Sequence, residues 1–399
     1  MKHRWKDFDF TLIITPLILT AFGVVMIYSA SMVVAVIKYD VPSNHFMLKQ
    51  LQWFLIGLIP FTIMSFFNYK HLQKLMKSMV LGIILLLVAV LVFGEDVNNS
   101  QSWLSIGPFQ FQPSEFAKLG IILYLASVYS KKQDYISDFS KGVLPPLIMT
   151  GIILGLILLQ PDIGTASIVF LIACSVIFSS GIRFKHLSIL IATGVGFLAL
   201  AATQMVTKER IARFTGAYLP FETPKTDGYH LIQSYVAIGT GGITGEGLGQ
   251  GVQKLGYLQE PHTDFIMAVI AEELGFIGVI IVIGLLATIV LRGIYIARLC
   301  DDSFGSLVAI GISSWIGIQT FINLGAISGI LPITGVPLPF ISSGGSSLLT
   351  LMIAMGILNN IAKKVRAKEI LVSKDVEKPF DDPRVFNKEA ARQRRSLHH

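Results

Sequence analysis

The sequence predicts an all-α polytopic membrane protein of about ten transmembrane helices, packed as one bundle. Of its 399 residues, 53% are hydrophobic and only 14% are charged, whereas soluble domains carry about 25% charged residues. Apolar runs of about 20 residues recur along the chain, which is the length that crosses the hydrocarbon core of a bilayer. Basic residues gather in alternate loops between these runs. A chain with so little polar surface is not a soluble globule.

Hydropathy and flanking charge place the spans in order along the chain. The predicted spans are 10–36, 47–67, 76–94, 114–130, 143–160, 163–181, 187–206, 264–291, 304–327 and 343–363. We therefore predict a single bundle over residues 1–365, which includes a large extracellular loop at 207–263. The polar segment 366–399 lacks aliphatic periodicity and is predicted to be a flexible cytoplasmic tail.

The basic loops set the orientation of the bundle, because Lys and Arg favour the cytoplasmic side. They precede the first span and follow each even-numbered span: Lys2, Arg4, Lys6, Lys70, Lys74, Lys77, Lys131, Lys132, Lys141, Arg183, Lys185, Arg292, Arg298, Lys363, Lys364, Arg366 and Lys368. An even number of spans places both termini in the cytoplasm. The net charge of +7 is spread over these loops rather than gathered on one face, which argues against a nucleic-acid partner.

Two arginines lie in the large external loop, where the topology rule does not account for them. Arg210 and Arg213 are three residues apart and would share a face if this stretch is helical. A guanidinium group suits phosphate because its planar fork makes paired hydrogen bonds. The alternative is a solvated loop or a contact with lipid headgroups. The rarity of external basic residues favours an anion-binding role.

A glycine-rich run at 239–251 follows in the same loop. It fits neither the dinucleotide-binding fingerprint nor the Walker pattern that ends in Gly-Lys-Ser/Thr. Two interpretations stay open at this point. The run is either a pliable loop that needs positive φ at several positions, or a backbone that approaches a diphosphate-sugar substrate.

Asp264 is the candidate catalytic residue, at the mouth of the eighth span and directly after His262 and Thr263. An Asp at a helix start is often an N-cap or a first-turn carboxylate stabilised by the helix dipole. At the boundary of water and lipid it is also placed to act as a general base on a lipid-linked substrate. The two roles are compatible.

Glu272 and Glu273 lie deeper on the same span, with Glu272 about 12 Å below Asp264 at helical rise. Carboxylates inside a span are costly and face protein or a polar cavity. The sequence leaves open a proton relay or ion site, a hydrogen-bonded structural role, and protonation of one carboxylate.

The fourth span opens on Pro113, and Glu115 and Lys118 lie on one face of its first turn. They are expected to form a helix-entry ion pair. Trp103, in the external segment before this span, is either an interfacial anchor or part of a substrate groove.

The last external segment, 329–347, contains three prolines and paired glycines. Irregular backbone at membrane depth is tolerated only where it is buried or lines a cavity. Hydroxyl groups such as that of Ser342 could hold a polar headgroup. Close helix packing by small residues is the alternative.

Together these motifs resemble the SEDS family, the shape, elongation, division and sporulation proteins. The motifs that carry the resemblance are Gln112-Pro113-Ser114-Glu115-x-x-Lys118, Gln160-Pro161-Asp162-x-Gly164-Thr165, Arg210-x-x-Arg213, Gln233-Ser234, Glu260-x-His262-Thr263-Asp264-Phe265, Glu272-Glu273-x-Gly275 and Pro337-Leu338-Pro339-Phe340-Ile341-Ser342. They span nearly the whole membrane region in the family's order.

The resemblance implies a multi-pass enzyme of the bacterial plasma membrane that polymerises peptidoglycan from lipid II at the outer face. Its partners would be a class B penicillin-binding protein, other membrane proteins of the division machinery, and membrane lipids. The members most similar to this chain act in division, at the septum, with elongation and sporulation members close. Asp264 would be catalytic, and the resemblance implies substrate-binding roles for a wider set of residues: Trp103, Glu115, Lys118, Arg210, Arg213, Gln233, His262, Thr263 and Ser342.

Two other classes of function stay open from the sequence. One is a lipid II flippase, with Glu272 and Glu273 as its polar pathway, and the other is a non-enzymatic scaffold of the division machinery. The sequence assigns no cofactor and no metal ligands. A divalent cation, Mg²⁺ or Mn²⁺, would help Arg210 and Arg213 to stabilise a departing diphosphate.

Overall fold

A computed structural model describes residues 8–97, 100–107, 109–132, 138–182, 185, 188, 191–192, 194–196 and 208–376. The α-helices bounded within these residues are α1 Phe10–Tyr39, α2 His45–Phe66, α3 Lys70–Phe93, α4 Pro113–Lys131, α5 Leu144–Leu159, α6 Ile163–Ser179, α7 Lys208–Tyr218, α8 Tyr229–Gly241, α9 Ile266–Leu299, α10 Ser303–Ile327 and α11 Gly345–Val376. Each predicted span except one coincides with a helix. The exception, 187–206, lies mostly outside the described residues.

Six of the described helices are long and apolar enough to cross a membrane, namely α1, α2, α3, α9, α10 and α11. The helices α5 and α6 are apolar but shorter. The prediction of an all-α polytopic membrane protein is therefore confirmed. A short π-helical turn, Phe139–Val143, leads into α5.

The helices divide into a central and a peripheral set. Within its most apolar window, α11 is 83% buried and α10 is 61% buried, whereas α2 is 22% buried and α9 is 28% buried. The exposed side chains of α2 and α9 are chiefly apolar, including Ile59 and Phe276. In a membrane protein such surfaces face lipid. The functional site is therefore expected against the central helices.

The first external segment forms a small antiparallel sheet, which the sequence analysis did not predict. Its strands are β1 Glu95–Val97, β2 Ser100–Ile106 and β3 Phe109–Phe111, in the order β1-β2-β3. Gly107, with a φ of 61°, makes the turn between β2 and β3. The strands are too short for an alternating pattern to stand out from the sequence.

The large loop after residue 207 is not wholly external. Near the middle of α8, Ser234 donates a hydrogen bond to the carbonyl of Ile327, where α10 ends (3.0 Å). At the C-terminal end of α8, Gly241 packs so closely on α9 that an added Cβ would lie 1.8 Å from the carbonyl oxygen of Ala271. The helix α8 therefore descends beside α9, and residues 242–258 lead the chain back out. We call residues 229–258 the re-entrant segment.

The re-entrant segment repairs a break in α9. Gly275 has φ 65° and ψ −164°, which interrupts the helix. The amides of Glu246 and Gly247 donate to the carbonyls of Glu272 and Glu273, both at 3.0 Å. Below the break, the amide of Phe276 donates to the carbonyl of Gly242 (3.0 Å). Backbone groups that the break would leave unpaired at membrane depth are thus satisfied, as an apolar surrounding requires.

The last helix runs further than the sequence suggested. It continues to Val376, past the predicted boundary of the bundle at residue 365. The remainder of the predicted tail, 377–399, lies outside the described residues.

Candidate functional site

Asp264 lies at the end of a tight turn that opens α9. The amide and hydroxyl of Thr263 both donate to the carbonyl of Glu260, at 3.2 and 3.1 Å. Glu260 itself has a positive φ of 47°. The N-cap of α9 is Phe265, so the expected capping role of Asp264 is not observed. Among the described residues, no hydrogen-bond donor engages the carboxylate oxygens of Asp264, which leaves them available to a substrate.

The last external segment, 329–347, forms a wall on one side of the Asp264 carboxylate. Gly335 lies beside it, since an added Cβ there would come 3.7 Å from Oδ2 of Asp264. The side-chain amide of Asn323, on α10, donates to the carbonyls of Asp264 (2.9 Å) and Val336 (2.8 Å). One buried asparagine thus fixes the backbone of Asp264 against that wall.

Ser342 holds the same wall, the segment 329–347, against the turn before Asp264. Its hydroxyl donates to the carbonyl of Thr263 (2.6 Å) and accepts from the amide of Leu338 (2.8 Å). The amide of Ser343 donates to the carbonyl of His262 (2.9 Å). The predicted substrate-binding hydroxyl of Ser342 is therefore already used to hold the turn.

The surroundings of Asp264 tune its acidity. Its side chain keeps some accessible surface, but protein encloses the carboxylate closely. Burial, with the nearby negative charge of Glu260, raises the pKa of Asp264 to about 7, against the opposing effect of Arg213. Asp264 precedes the spanning helix α9, which begins at Ile266. A carboxylate with a pKa near the working pH is suited to general base catalysis.

His262 and Thr263 are used for packing and for the turn. His262 is buried against Phe46, with ring centroids 4.3 Å apart. Burial lowers the pKa of His262 to about 4, so the imidazole is neutral near pH 7. The hydroxyl of Thr263 is engaged by Glu260. Of the three consecutive residues, Asp264 is the one whose side chain is presented for chemistry.

The stretch that carries the two external arginines is helical, α7, so their spacing of three residues places them on one face. Arg213 is exposed on α7 and its charge reaches Asp264. Arg210 lies on the same helix, three residues earlier, but its side chain is outside the described residues. Gln233, another predicted site residue, is half-buried on α8, next to Ser234.

A second polar cluster lies between α4 and α10. Lys118 and Glu115 form the expected ion pair, 2.7 Å long and almost fully buried. Nζ of Lys118 also donates to Oε1 of Gln319 (3.0 Å) and lies 5.4 Å from the centre of the Trp315 ring. Gln319 in turn donates to the carbonyl of Pro337 (2.8 Å). The ion pair is thus connected through Gln319 to the wall beside Asp264.

Trp103 stands apart from these contacts. It is half-buried on β2, opposite Glu95 of β1. The sheet packs on α3 and α4, beside the external end of the bundle. Both the anchoring and the groove-lining interpretations of Trp103 are compatible with this position.

Glu272 and Glu273 are held by the re-entrant segment. Oε1 of Glu272 accepts from the amides of Val252 (2.7 Å) and Gln253 (3.1 Å), and the amide of Gln253 also lies 3.3 Å from Oε2. The carboxylate of Glu273 accepts from Lys254. Of the roles that the sequence left open, the hydrogen-bonded structural role matches these contacts. Because these hydrogen bonds occupy both carboxylates, Glu272 and Glu273 are not free to line the polar pathway that a flippase would need.

Sequence reasoning missed the residues that hold the site in place. Asn323 and Gln319 are polar residues four apart in the apolar sequence of α10, so they share one face of the helix. Their spacing was a usable signal, because polar side chains inside a span face protein or a cavity. Lys254 carried no comparable signal, since a lysine in a loop predicted to be external looks like a solvated residue.

No protein-built metal centre is found in the described part of the chain, where no three His, Cys, Asp or Glu side chains come together. These residues do not fit a cage for Mg²⁺ or Mn²⁺ made by the protein alone. Mg²⁺ is commonly held by one or two carboxylates together with substrate phosphates. A cation here would depend on the substrate for most of its ligands.

The chain matches one protein family and several curated proteins over nearly its whole length. Residues 10–367 match the FtsW/RodA/SpoVE family, described as "Cell cycle protein". The chain is 50% identical to the probable peptidoglycan glycosyltransferase FtsW of Bacillus subtilis over 378 residues, which covers 92% of this chain and 94% of the relative. It is 40% identical to the stage V sporulation protein E of B. subtilis over 361 residues, with coverages of 90% and 98%.

Solved structures with the same fold include a chain from a peptidoglycan synthase complex studied for how it coordinates polymerization and crosslinking. That chain superimposes with a TM-score of 0.71 at 27% identity, covering 90% of this chain and 98% of its own. The rod shape determining protein RodA of Thermus thermophilus superimposes with a TM-score of 0.67 at 28% identity, with the same coverages.

Proposed function

The chain belongs to the FtsW/RodA/SpoVE family of cell cycle proteins, and we propose on that premise that it polymerises lipid II with Asp264 as general base. It is a multi-pass membrane protein of the peptidoglycan glycosyltransferase class. The observation that supports the role of Asp264 is its position. It is a carboxylate with a pKa near 7, held at the outer end of a spanning helix, and its oxygens accept no hydrogen bond from the part of the chain that the structure describes.

The chemistry of the proposal is a displacement at the anomeric carbon of the donor sugar. The carboxylate of Asp264 takes the proton from the attacking hydroxyl of the acceptor sugar as its oxygen forms the new glycosidic bond. The bond between the anomeric carbon and the diphosphate oxygen breaks. The undecaprenyl diphosphate leaves with the bonding electrons, and Asp264 returns its proton to water.

The departing diphosphate needs positive charge nearby. Arg213 is exposed on α7 and its charge reaches the carboxylate of Asp264. Arg210, on the same face by spacing, is its natural companion. Guanidinium groups make paired hydrogen bonds to phosphate oxygens. We assign to both the stabilisation of charge on the leaving group. A divalent cation carried by the diphosphate would act in the same way, and no step here depends on it.

The division role is favoured over the sporulation role by the degree of similarity. The identity is 50% to FtsW of B. subtilis but 40% to stage V sporulation protein E of the same organism. We accordingly propose that the protein acts at the division septum. Its proposed partner is a class B penicillin-binding protein, which would crosslink the new glycan. The related fold in a complex that joins polymerization to crosslinking supports that pairing.

The test is polymerisation by purified protein in detergent, with labelled lipid II and with or without the class B partner. Asp264→Asn should fold and bind the partner but form no glycan chains. Asp227→Asn, an aspartate of the same loop, is the matched control and should polymerise normally. Polymer made by Asp264→Asn would overturn the assignment. Failure of the wild-type protein to polymerise under any of these conditions would instead favour the flippase or the scaffold.

A further inference from the structure

Lys254 and Glu273 close a ring in the chain, and Asp264 lies at the midpoint of that ring. Nζ of Lys254 and Oε1 of Glu273 are 2.5 Å apart, across a separation of 19 residues. The Lys254 side chain is 1% exposed and that of Glu273 is 0% exposed. The ion pair therefore ties the end of the re-entrant segment to α9 inside the protein, and the chain between them carries the candidate base.

A serine of α1 completes the ion pair. The hydroxyl of Ser29 donates towards both oxygens of Glu273 (2.7 and 2.8 Å) and accepts from Nζ of Lys254 (2.8 Å). The amide of Gly249 adds a further hydrogen bond to Oε2 of Glu273 (3.0 Å). A buried charge pair is stable when its remaining hydrogen-bonding capacity is used in this way.

The ring touches α1 a second time, nearer to Asp264. Lys38, near the end of α1, pairs with the carboxylate of Glu260 (3.3 Å). The hydroxyl of Tyr39 donates to the same carboxylate (3.1 Å). Glu260 is the residue on which the turn before Asp264 is built. The helix α1 thus holds the ring both at its closure and at the turn.

Ring closure restricts the positions that Asp264 can adopt. Joining two points of a chain removes conformational freedom from the residues between them. Leu258, within the ring, is buried, and its amide donates to the carbonyl of Gln253 (2.9 Å). His262 is packed against Phe46 of α2. Between the ion pair and Asp264, the chain has little room to move.

We propose that Lys254 is a positioning residue that sets the place of the Asp264 carboxylate through its buried pair with Glu273 and Ser29. This proposal rests on the proposed role of Asp264 as the base. It assigns the glutamates of α9 to the geometry of the reaction rather than to a proton or ion path. Without the ion pair, the ring would open and the carboxylate would sample a wider volume at the mouth of α9.

The test separates positioning from stability by removing the two charges together. Lys254→Met or Glu273→Gln alone leaves a buried charge without its partner, and such variants are expected to fold poorly. The double variant Lys254→Met/Glu273→Gln keeps the shapes and removes both charges, which in comparable pairs is often neutral for stability. Its matched control is Lys225→Met/Glu246→Gln, a pair of exposed residues in the same loop.

We expect the Lys254→Met/Glu273→Gln protein to melt near the wild-type temperature and to lose about ten- to a hundredfold in kcat, as displaced catalytic groups do. Its KM for lipid II should stay within about twofold, because the two substituted side chains are buried away from any substrate, at 1% and 0% exposure. Hydrogen exchange at the amides of Val252, Gln253 and Leu258 should accelerate, while amides of α11 remain protected. The control variant should match wild type in all of these measurements.

Two outcomes distinguish this proposal from the one on which it rests. If the double variant polymerises with the wild-type kcat while Asp264→Asn is inactive, the positioning role is overturned and the base assignment stands. If Asp264→Asn retains activity, the base assignment fails, and the positioning role fails with it whatever the double variant does.

Discussion

The carboxylate of Glu260 lies close enough to that of Asp264 for its negative charge to add to the effect of burial, and together they raise the pKa of Asp264 to about 7. Glu260 is itself held by Lys38 and Tyr39 of α1. Burial alone would raise the pKa of Glu260, but the charge of Lys38 and the hydrogen bonds from Lys38 and Tyr39 help to lower it below its ordinary value. Near pH 7 Glu260 is therefore ionised while Asp264 titrates.

This relationship predicts the pH dependence of polymerisation. A general base must be deprotonated, so activity should fall as the pH drops below about 7. Replacing Glu260 with Gln removes a negative charge that opposes ionisation of Asp264, so the pKa of Asp264 should fall. The acidic limb of the kcat/KM profile should move down by about half to one pH unit.

The opposite shift provides the internal check. Arg213→Gln removes a positive charge that favours the ionised form, so the acidic limb should move up in pH. His262, with a pKa of about 4, is neutral throughout this range and should not contribute to the limb. Movement of both variants in the same direction would contradict the assignment of the limb to Asp264.

Asn323 offers a test of how the backbone of Asp264 is held. Asn323→Leu removes the two hydrogen bonds to the carbonyls of Asp264 and Val336 while keeping a similar volume. Leaving buried carbonyls without a donor costs about 1–3 kcal/mol for each group. We expect a lower melting temperature and a reduced kcat for lipid II polymerisation. Thr320→Val on the same helix, where the hydroxyl donates to the carbonyl of Ile316 one turn earlier, is the control. Equal effects of the two substitutions would argue against a specific role for Asn323.

The buried ion pair of Glu115 and Lys118 can be tested for stability and activity separately. Lys118→Met leaves Glu115 buried without its partner and should destabilise the protein by about 3–5 kcal/mol. Adding Glu115→Gln should recover most of that loss, as measured by thermal unfolding in detergent. A double variant that is stable but does not polymerise lipid II would support substrate contact, as the family resemblance implies. A double variant that is both stable and active would limit the pair to a structural role.

The sequence predicted the helices well because apolar length and flanking charge are local properties. The spans 10–36 and 304–327 correspond to α1 and α10 within a few residues. The pairing of Glu115 with Lys118 was also predictable, since both lie on one turn of a helix. These features need no knowledge of the rest of the fold.

The re-entrant segment could not be predicted in this way. Of the two interpretations of its glycine-rich run, the one that requires positive φ agrees with the backbone of Gly242, Gly245, Gly247 and Gly249. The depth of the segment depends instead on pairing with α9, which lies some thirty residues further along the chain. Such non-local contacts leave no periodic pattern in the sequence. The buried ion pair of Lys254 was hidden for the same reason.

The break in α9 gives the last prediction. Gly275 adopts φ 65° and ψ −164°, a region that is essentially restricted to glycine. An added Cβ would also lie 2.4 Å from the amide nitrogen of Gly245 and 2.5 Å from the carbonyl oxygen of Ile243. Gly275→Ala should therefore destabilise the protein by more than the roughly 1–3 kcal/mol of backbone strain alone. It should also weaken polymerisation, because the re-entrant segment, which leads into the turn before Asp264, is paired to this break. Gly284→Ala is the matched control on the same helix, where nothing lies within 4 Å of an added Cβ and alanine favours the helix by about 0.5–1 kcal/mol. The measurements are the melting temperature and the rate of lipid II polymerisation of the two variants. Equal values for Gly275→Ala and Gly284→Ala would mean that α9 does not need its break.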